Sequence, residues 1–242
     1  MLAADGSDPR SRTPDLEMRR AAVAGIELFR AMRPNERDAV LAGAGTRRFD
    51  KNAAVMRRGE DATGMMVILQ GKLRVSVISP EGQEVSLGML GPGDVLGEMA
   101  LLDGGTRSAD VNAVEECVVL TIQRAHFLEL LRNNADLCLR LVRVLSQRVR
   151  QSNAFLEEIA TLDLGARLGR LLARLAGSYG KEEGGAIRIN MKLSQKDLST
   201  LVIGSREKVN RQLRQWEKDG VLSNEHGYIL IHKMTALVSD SG

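Results

Sequence analysis

Between Asn133 and Ile159 the chain runs for 27 residues without a glycine or a proline. Within that stretch Leu145, Val149, Ser152, Leu156 and Ile159 recur at intervals of 4, 3, 4 and 3, the spacing of a heptad seam along one face of a helix. At 1.5 Å of rise per residue such a helix is about 40 Å long, more than one small β domain can cover. Two arrangements satisfy it. The seam pairs with the same helix of a second copy, or the helix lies along the surface of its own domain. Ser152 interrupts the apolar row, and a polar group there costs stability unless something bonds to it.

Before this helix the pattern is different. From Phe49 to Ile122 short β-prone stretches (MMVILQ, LRVSVIS, EVSLGML, ADVNAV, CVVLTI) are separated by glycines at 71, 82, 91, 93, 104 and 105. In LRVSV, Leu73, Val75 and Val77 alternate with Arg74 and Ser76, which predicts the first set inward and the second in water. Close, turn-separated strands of this kind suit a jelly roll, two sheets closed over one core. With 7 aromatic residues in the chain, that core must be largely aliphatic.

After the helix, GARLGRLLARLAG places Leu168, Leu171, Leu172 and Leu175 on one side of an amphipathic helix. GSYGKEEGG reads as a loop and AIRIN as a short strand. Ser194 and Asp197 form a capping pair at the start of another helix, in which Leu198 and Val202 face inward. Ile203 and Gly204 make a turn, and Ser205 caps a second helix whose buried stripe is Val209, Leu213 and Trp216 and which Gly220 ends. Two short helices about a tight turn are a helix-turn-helix. VLSN and GYILI, separated by Glu225 and His226, follow as a small hairpin, the wing. The fold class is therefore α+β: a mobile tail (1–21), a β-sandwich (22–132), a central helix (133–162) and a winged helix (163–242).

Charge supports this division. Residues 1–162 carry 21 basic and 22 acidic groups, whereas 163–242 carry 13 and 9. The second helix of the hairpin presents Arg206, Glu207, Asn210, Arg211 and Arg214 opposite its buried stripe. Arg can donate two bonds to guanine, Asn can pair with adenine and Glu can accept from cytosine N4. Ser205 to Lys218 holds 5 basic and 2 acidic residues, so the same face also attracts phosphate. Metal chemistry is not expected, because Cys117 and Cys138 with His126, His226 and His232 offer no ligand spacing. No apolar run approaches the roughly 18–20 residues that cross a bilayer, and the opening MLAADGSDPRSRTP has no apolar export segment. The chain is expected to stay in the cytoplasm.

The stretch GDVLGEMALLDGGTRSADV describes a nucleotide site. Its glycines let the backbone approach an anion, and Ala100 begins a short apolar stretch that could form one helical turn. Arg107 supplies a positive fork for a phosphate with the Ser108 hydroxyl beside it. Glu98, an acceptor only when ionised, suits a sugar hydroxyl. Taken singly, Glu98 and Arg107 also read as a structural ion pair.

LGEMALLDGGTRSADV resembles the phosphate-binding cassette of the CRP/FNR family, in its cyclic-AMP receptor branch, and the order of parts matches over roughly residues 22–232. The resemblance implies a homodimer of cyclic-nucleotide domains joined by a long central helix, each followed by a DNA-binding winged helix, with RNA polymerase as a further partner and no membrane. It places Gly97, Glu98, Met99 and Ala100 around the ribose and phosphate, with Glu98 on the 2′-hydroxyl and Arg107 and Ser108 on the cyclic phosphate. Ser152 and Asn153 fall where the family contacts adenine; Asn153 departs from the familiar Ser and leaves cyclic AMP or cyclic GMP open. Arg206, Glu207 and Arg211 match the base-reading positions, followed through Lys208, Val209 and Asn210, which implies TGTGA-like half-sites in an inverted repeat about one helical turn apart. The oxygen-sensing branch would need a cysteine cluster that this sequence lacks. The alternatives are a constitutive or other-ligand DNA regulator of the same fold and a regulatory subunit of an enzyme. The chain itself shows no Walker loop, activated nucleophile or paired carboxylates in an acid-base setting, so no enzymatic activity is expected.

Overall fold

The computed structural model describes residues 16–80, 82 and 84–239. Helices α1 (Leu16–Gly25) and α2 (Pro34–Ala42) precede strands β1 (Ala44–Phe49), β2 (Ala54–Met56), β3 (Gly64–Gln70), β4 (Leu73–Ile78), β5 (Glu84–Leu90) and β6 (Val95–Leu96). A short helix α3 (Glu98–Asp103), strands β7 (Asp110–Ala113) and β8 (Cys117–Gln123), and helix α4 (Arg124–Asn133) follow. Then come α5 (Ala135–Thr161), α6 (Leu164–Tyr179), β9 (Gly180–Glu183), β10 (Ala186–Ile189), α7 (Gln195–Leu201), α8 (Arg206–Lys218), β11 (Leu222–Glu225), β12 (Tyr228–Ile231) and α9 (Met234–Ser239). The chain divides into two compact units. One comprises residues up to Val77 with Gly88–Gln147, the other Ile78–Leu87 with the residues from Arg148 onward.

Two antiparallel sheets, ordered β1-β8-β3-β6 and β2-β7-β4-β5, enclose an aliphatic core; all their strands but β5 lie wholly or almost wholly in the first unit. The continuous apolar run in β3 has a direct cause: the strand is buried on both faces. Met66 and Ile68 join Phe49, Leu73, Leu96 and Val119 between the sheets, while Met65 and Val67 join Val23, Phe29, Leu101 and Phe127 beneath the helices. The alternation expected for β4 does not hold. Ser76 is only 2% exposed, and Val75 and Val77 are half-buried. Strand β4 lies inside its sheet, between β7 and β5, and it has no clean wet face, since Arg74 is half-buried as well. Residues 16–21, counted with the tail in the sequence reading, belong to α1; the rest of that tail lies outside the described residues. The Cys117 thiol is pushed up by burial, and its Sγ donates to the carbonyls of Lys72 and Glu115, so it is a structural thiol.

The long helix begins at Ala135 and not at Asn133. Asn134 ends α4, and its Oδ1 accepts from the Leu137 N–H at 2.9 Å. In the second unit the sequence read as the loop GSYGKEEGG instead completes α6 and forms β9, paired with β10 through the turn at Gly184 and Gly185. Both glycines have positive φ, 59° and 83°, as a two-residue hairpin turn requires. The wing turn likewise falls on His226 and Gly227, with Glu225 inside β11.

Gly169 of α6 packs directly under α9, where an added Cβ would collide with the Leu237 carbonyl oxygen; Gly177 of the same helix has nothing within 4 Å. Helix propensity favours alanine over glycine by about 1 kcal/mol, but forcing backbone apart costs about 1–3 kcal/mol. Gly177→Ala is therefore expected to raise the denaturant midpoint and Gly169→Ala to lower it. Equal shifts of one sign would contradict the α6–α9 packing.

Candidate ligand cassette and DNA-reading surface

Strand β6 delivers the chain to Gly97, whose φ of 80° starts α3. A side chain there is excluded twice, by that conformation and by space, since a Cβ would run into Arg107 Nη1 and lie 2.8 Å from Met56 Cε. Arg107 is 7% exposed. Its Nη1 donates to the Gly97 carbonyl at 2.8 Å and its Nη2 to the Gly64 carbonyl at 2.7 Å. The backbone is pinned as well: Arg107 N donates to Glu60 O, and Gly59 N donates to Arg107 O, both at 2.9 Å. Burial pushes the guanidinium below its ordinary range, opposed by the nearby carboxylates of Glu60 and Glu98. These bonds leave a rigid fork whose remaining donors suit an anion.

The other cassette residues sit on the same short segment. Glu98 is 1% and Ala100 3% exposed, whereas Met99 is 50% exposed; Ser108 is exposed beside Arg107. The loop closes at Gly104, with φ 78°, and at Gly105, whose N–H donates to Asp103 Oδ1 at 2.8 Å. Ser152 and Asn153 belong to the other unit, on α5, and both are exposed. Along that helix Val142, Val149 and Leu156, seven residues apart, are 56%, 59% and 64% exposed.

At the end of α5, Glu158 is buried and accepts from Arg174 Nη1 of α6 at 2.6 Å, with Arg170 at 4.0 Å. Asp163 caps α6 through the Ala166 N–H at 2.8 Å. The junction of α5 and α6 is thus held by an ion pair that the sequence reading did not find, because its partners are 16 residues apart.

The candidate reading surface is built by two caps. Ser194 and Asp197 form a reciprocal capping box on α7, and Ser205 Oγ accepts from Lys208 N at 3.3 Å at the start of α8. Val209, Leu213 and Trp216 are buried, so Arg206, Glu207, Lys208, Arg211 and Arg214 stand exposed on the opposite side. Asn210 is half-buried and its Oδ1 accepts from Gln195 Nε2 at 2.9 Å. The turn falls at Ile203 and Gly204 as expected, with left-handed φ, 49°, on Ile203. Glycine is needed at 204 for room, since a Cβ there would strike Leu164 Cδ1. Beside the wing, Arg188 stacks on the Tyr228 ring at 4.0 Å with Lys192 at 5.5 Å, a cationic patch that sequence reasoning missed.

Comparison with known proteins follows the same order along the chain. Residues 46–134 match the model of the cyclic nucleotide-binding domain, and residues 166–239 match the Crp-like helix-turn-helix domain. The chain belongs to the CRP/FNR family. Among CRP/FNR relatives, the chain is 29% identical over 193 residues to the CRP-like cAMP-activated global transcriptional regulator of Mycobacterium tuberculosis, covering 80% of this chain and 83% of the relative. It is 28% identical over 213 residues to the cyclic AMP receptor protein of Thermus thermophilus, covering 88% and 95%. The fold matches that of CLP, the c-di-GMP responsive global regulator of Xanthomonas campestris, with a TM-score of 0.71 at 22% identity over 83% of this chain and 99% of that one. This CRP/FNR member is accordingly a DNA-binding transcription regulator with a cyclic-nucleotide-binding domain, not an enzyme. Among the described residues no helix is long and apolar enough to cross a membrane.

Proposed function

We propose that this protein is a homodimeric regulator in which cyclic AMP, bound in each β-sandwich, governs binding of the winged helices to TGTGA-like inverted repeats. The observation that carries the reading is the Arg107 fork, buried and braced on the Gly97 and Gly64 carbonyls. In this reading Arg107 and Ser108 hold the cyclic phosphate, Glu98 accepts from the 2′-hydroxyl, and Gly97, Met99 and Ala100 shape the loop around the sugar. The exposed apolar row of α5 supports pairing with a second copy. Ser152 and Asn153 on that helix contact the base, and Arg206, Glu207 and Arg211 read base edges while Ser205, Lys208 and Asn210 complete the DNA-facing set. RNA polymerase is the partner through which DNA binding affects transcription.

The nucleotide must bind the DNA-competent arrangement more tightly than the other, since equal affinity for both shifts nothing. The Asn153 amide both donates and accepts, which makes cyclic GMP the second reading of the same site. Calorimetry of the full chain with cyclic AMP, cyclic GMP and cyclic di-GMP tests the assignment. Cyclic AMP is expected to bind at one site per protomer with the highest affinity; no heat from any of the three would contradict a nucleotide-sensing role.

A further inference from the structure

Periodicity makes Asn210 a surface residue of α8, but the fold does not leave it alone. Its Oδ1 accepts from Nε2 of Gln195, the first residue of α7, at 2.9 Å. Both side chains are half-buried, so the bond is partly shielded from competing water. Asn210 stands one helical turn beyond Arg206 and next to Arg211, among the residues that face outward from α8. An unrestrained asparagine amide can rotate by half a turn, which exchanges its donor and acceptor edges. The Gln195 bond holds the side chain in place, and the Asn210 amide can then turn over only together with the Gln195 amide. Oδ1 retains one lone pair and Nδ2 retains its two N–H groups, the set that complements N6 and N7 of adenine.

We propose that Gln195 is a positioning residue for sequence reading: it fixes the amide of Asn210 so that the pair acts as one adenine-reading unit across the helix-turn-helix. The inference rests on the DNA-binding reading above and extends it to a residue outside the recognition helix. Gln195 need not touch a base. Its contribution is to hold the Asn210 side chain and the plane of its amide in place before DNA arrives.

The test is binding selection on inverted repeats with randomised half-sites, using the full chain with and without cyclic AMP. The variants are Gln195→Met, Asn210→Ala and the double variant. Methionine keeps the length of glutamine and removes the donor. Gln195→Met and Asn210→Ala are each expected to weaken the preference for adenine at the same half-site position by about tenfold, within the range of one bidentate base contact. The double variant should lose no more than the worse single one, because the two residues act as a unit. The readout is a ratio of affinities for two duplexes, so a variant that folds less completely still reports it. If Gln195→Met weakens all sequences alike, or leaves the adenine preference intact, Gln195 is a packing or phosphate-contacting residue and the proposal is overturned. If losses fall at different positions or add in the double variant, it is likewise overturned. A wild-type protein with no sequence preference would instead remove the DNA-reading assignment itself, and the proposal with it.

Discussion

Arg107→Ala is expected to abolish cyclic-nucleotide binding at ordinary ligand concentrations. A guanidinium fork on a phosphate makes two charge-assisted bonds at roughly 1.5–3 kcal/mol each. Their loss amounts to about two to four powers of ten in Kd. The same substitution also reaches the unliganded protein, because the Gly97 and Gly64 carbonyls lose their donors; an acceptor left unpaired in a buried setting costs about 1–3 kcal/mol. Arg107→Lys separates the two effects. It keeps one positive charge but cannot span both carbonyls and a phosphate, so it should bind nucleotide more weakly than the native protein and more tightly than the alanine variant. Calorimetry reads affinity and thermal unfolding without ligand reads the structural part. Unchanged affinity in Arg107→Ala would mean that the anion is held elsewhere.

Leu156→Glu is expected to convert the proposed dimer into single chains. Leu156 and Val149 are 64% and 59% exposed in one chain, and in the paired helix they would lie at the centre of the seam. Introducing a carboxylate there on both copies costs several kcal/mol, because each charge must leave water without a partner. Every 1.4 kcal/mol is a tenfold change in the dissociation constant, so sedimentation or light scattering should give a mass near the 26.4 kDa of one chain. Binding to an inverted repeat should weaken with it, since two half-sites then no longer share one protein. A variant that remains dimeric would place the interface on some other surface.

The parts legible in the sequence were those with a local period or a local cap. The length of α5, the buried stripe of α8, the Ser194–Asp197 box and the glycine-rich turns around α3 all declare themselves within a few residues of one another. What escaped depends on residues far apart in the chain. Strand β9 carries no apolar alternation, and it exists because β10 pairs with it across the Gly184–Gly185 turn. Ser76, which alternation places in water, is buried. The Gln195–Asn210 bond spans 15 residues and the Glu158–Arg174 bond 16, distances at which neither helix period nor charge spacing carries information. The turn at Ile203 and Gly204 was legible, but the reason for its glycine was not: position 204 is reserved for the approach of Leu164.

The Glu158–Arg174 pair bears on control. It ties the last turn of α5 to α6 across the Leu162–Asp163 link, next to the Leu164 contact with the helix-turn-helix. Side chains in contact within the second unit thus connect the last turn of α5 to the helix-turn-helix.

The central claim is that nucleotide in the sandwich governs how the winged helices meet DNA. Its most direct test is a gel-shift titration of the full chain on a TGTGA inverted repeat, without ligand and with cyclic AMP, cyclic GMP or cyclic di-GMP, alongside Arg107→Ala. Cyclic AMP should raise the affinity of the native protein by about tenfold or more, within the usual range of allosteric coupling, and should leave Arg107→Ala unmoved. Identical binding curves for the native protein under all four conditions would contradict the account.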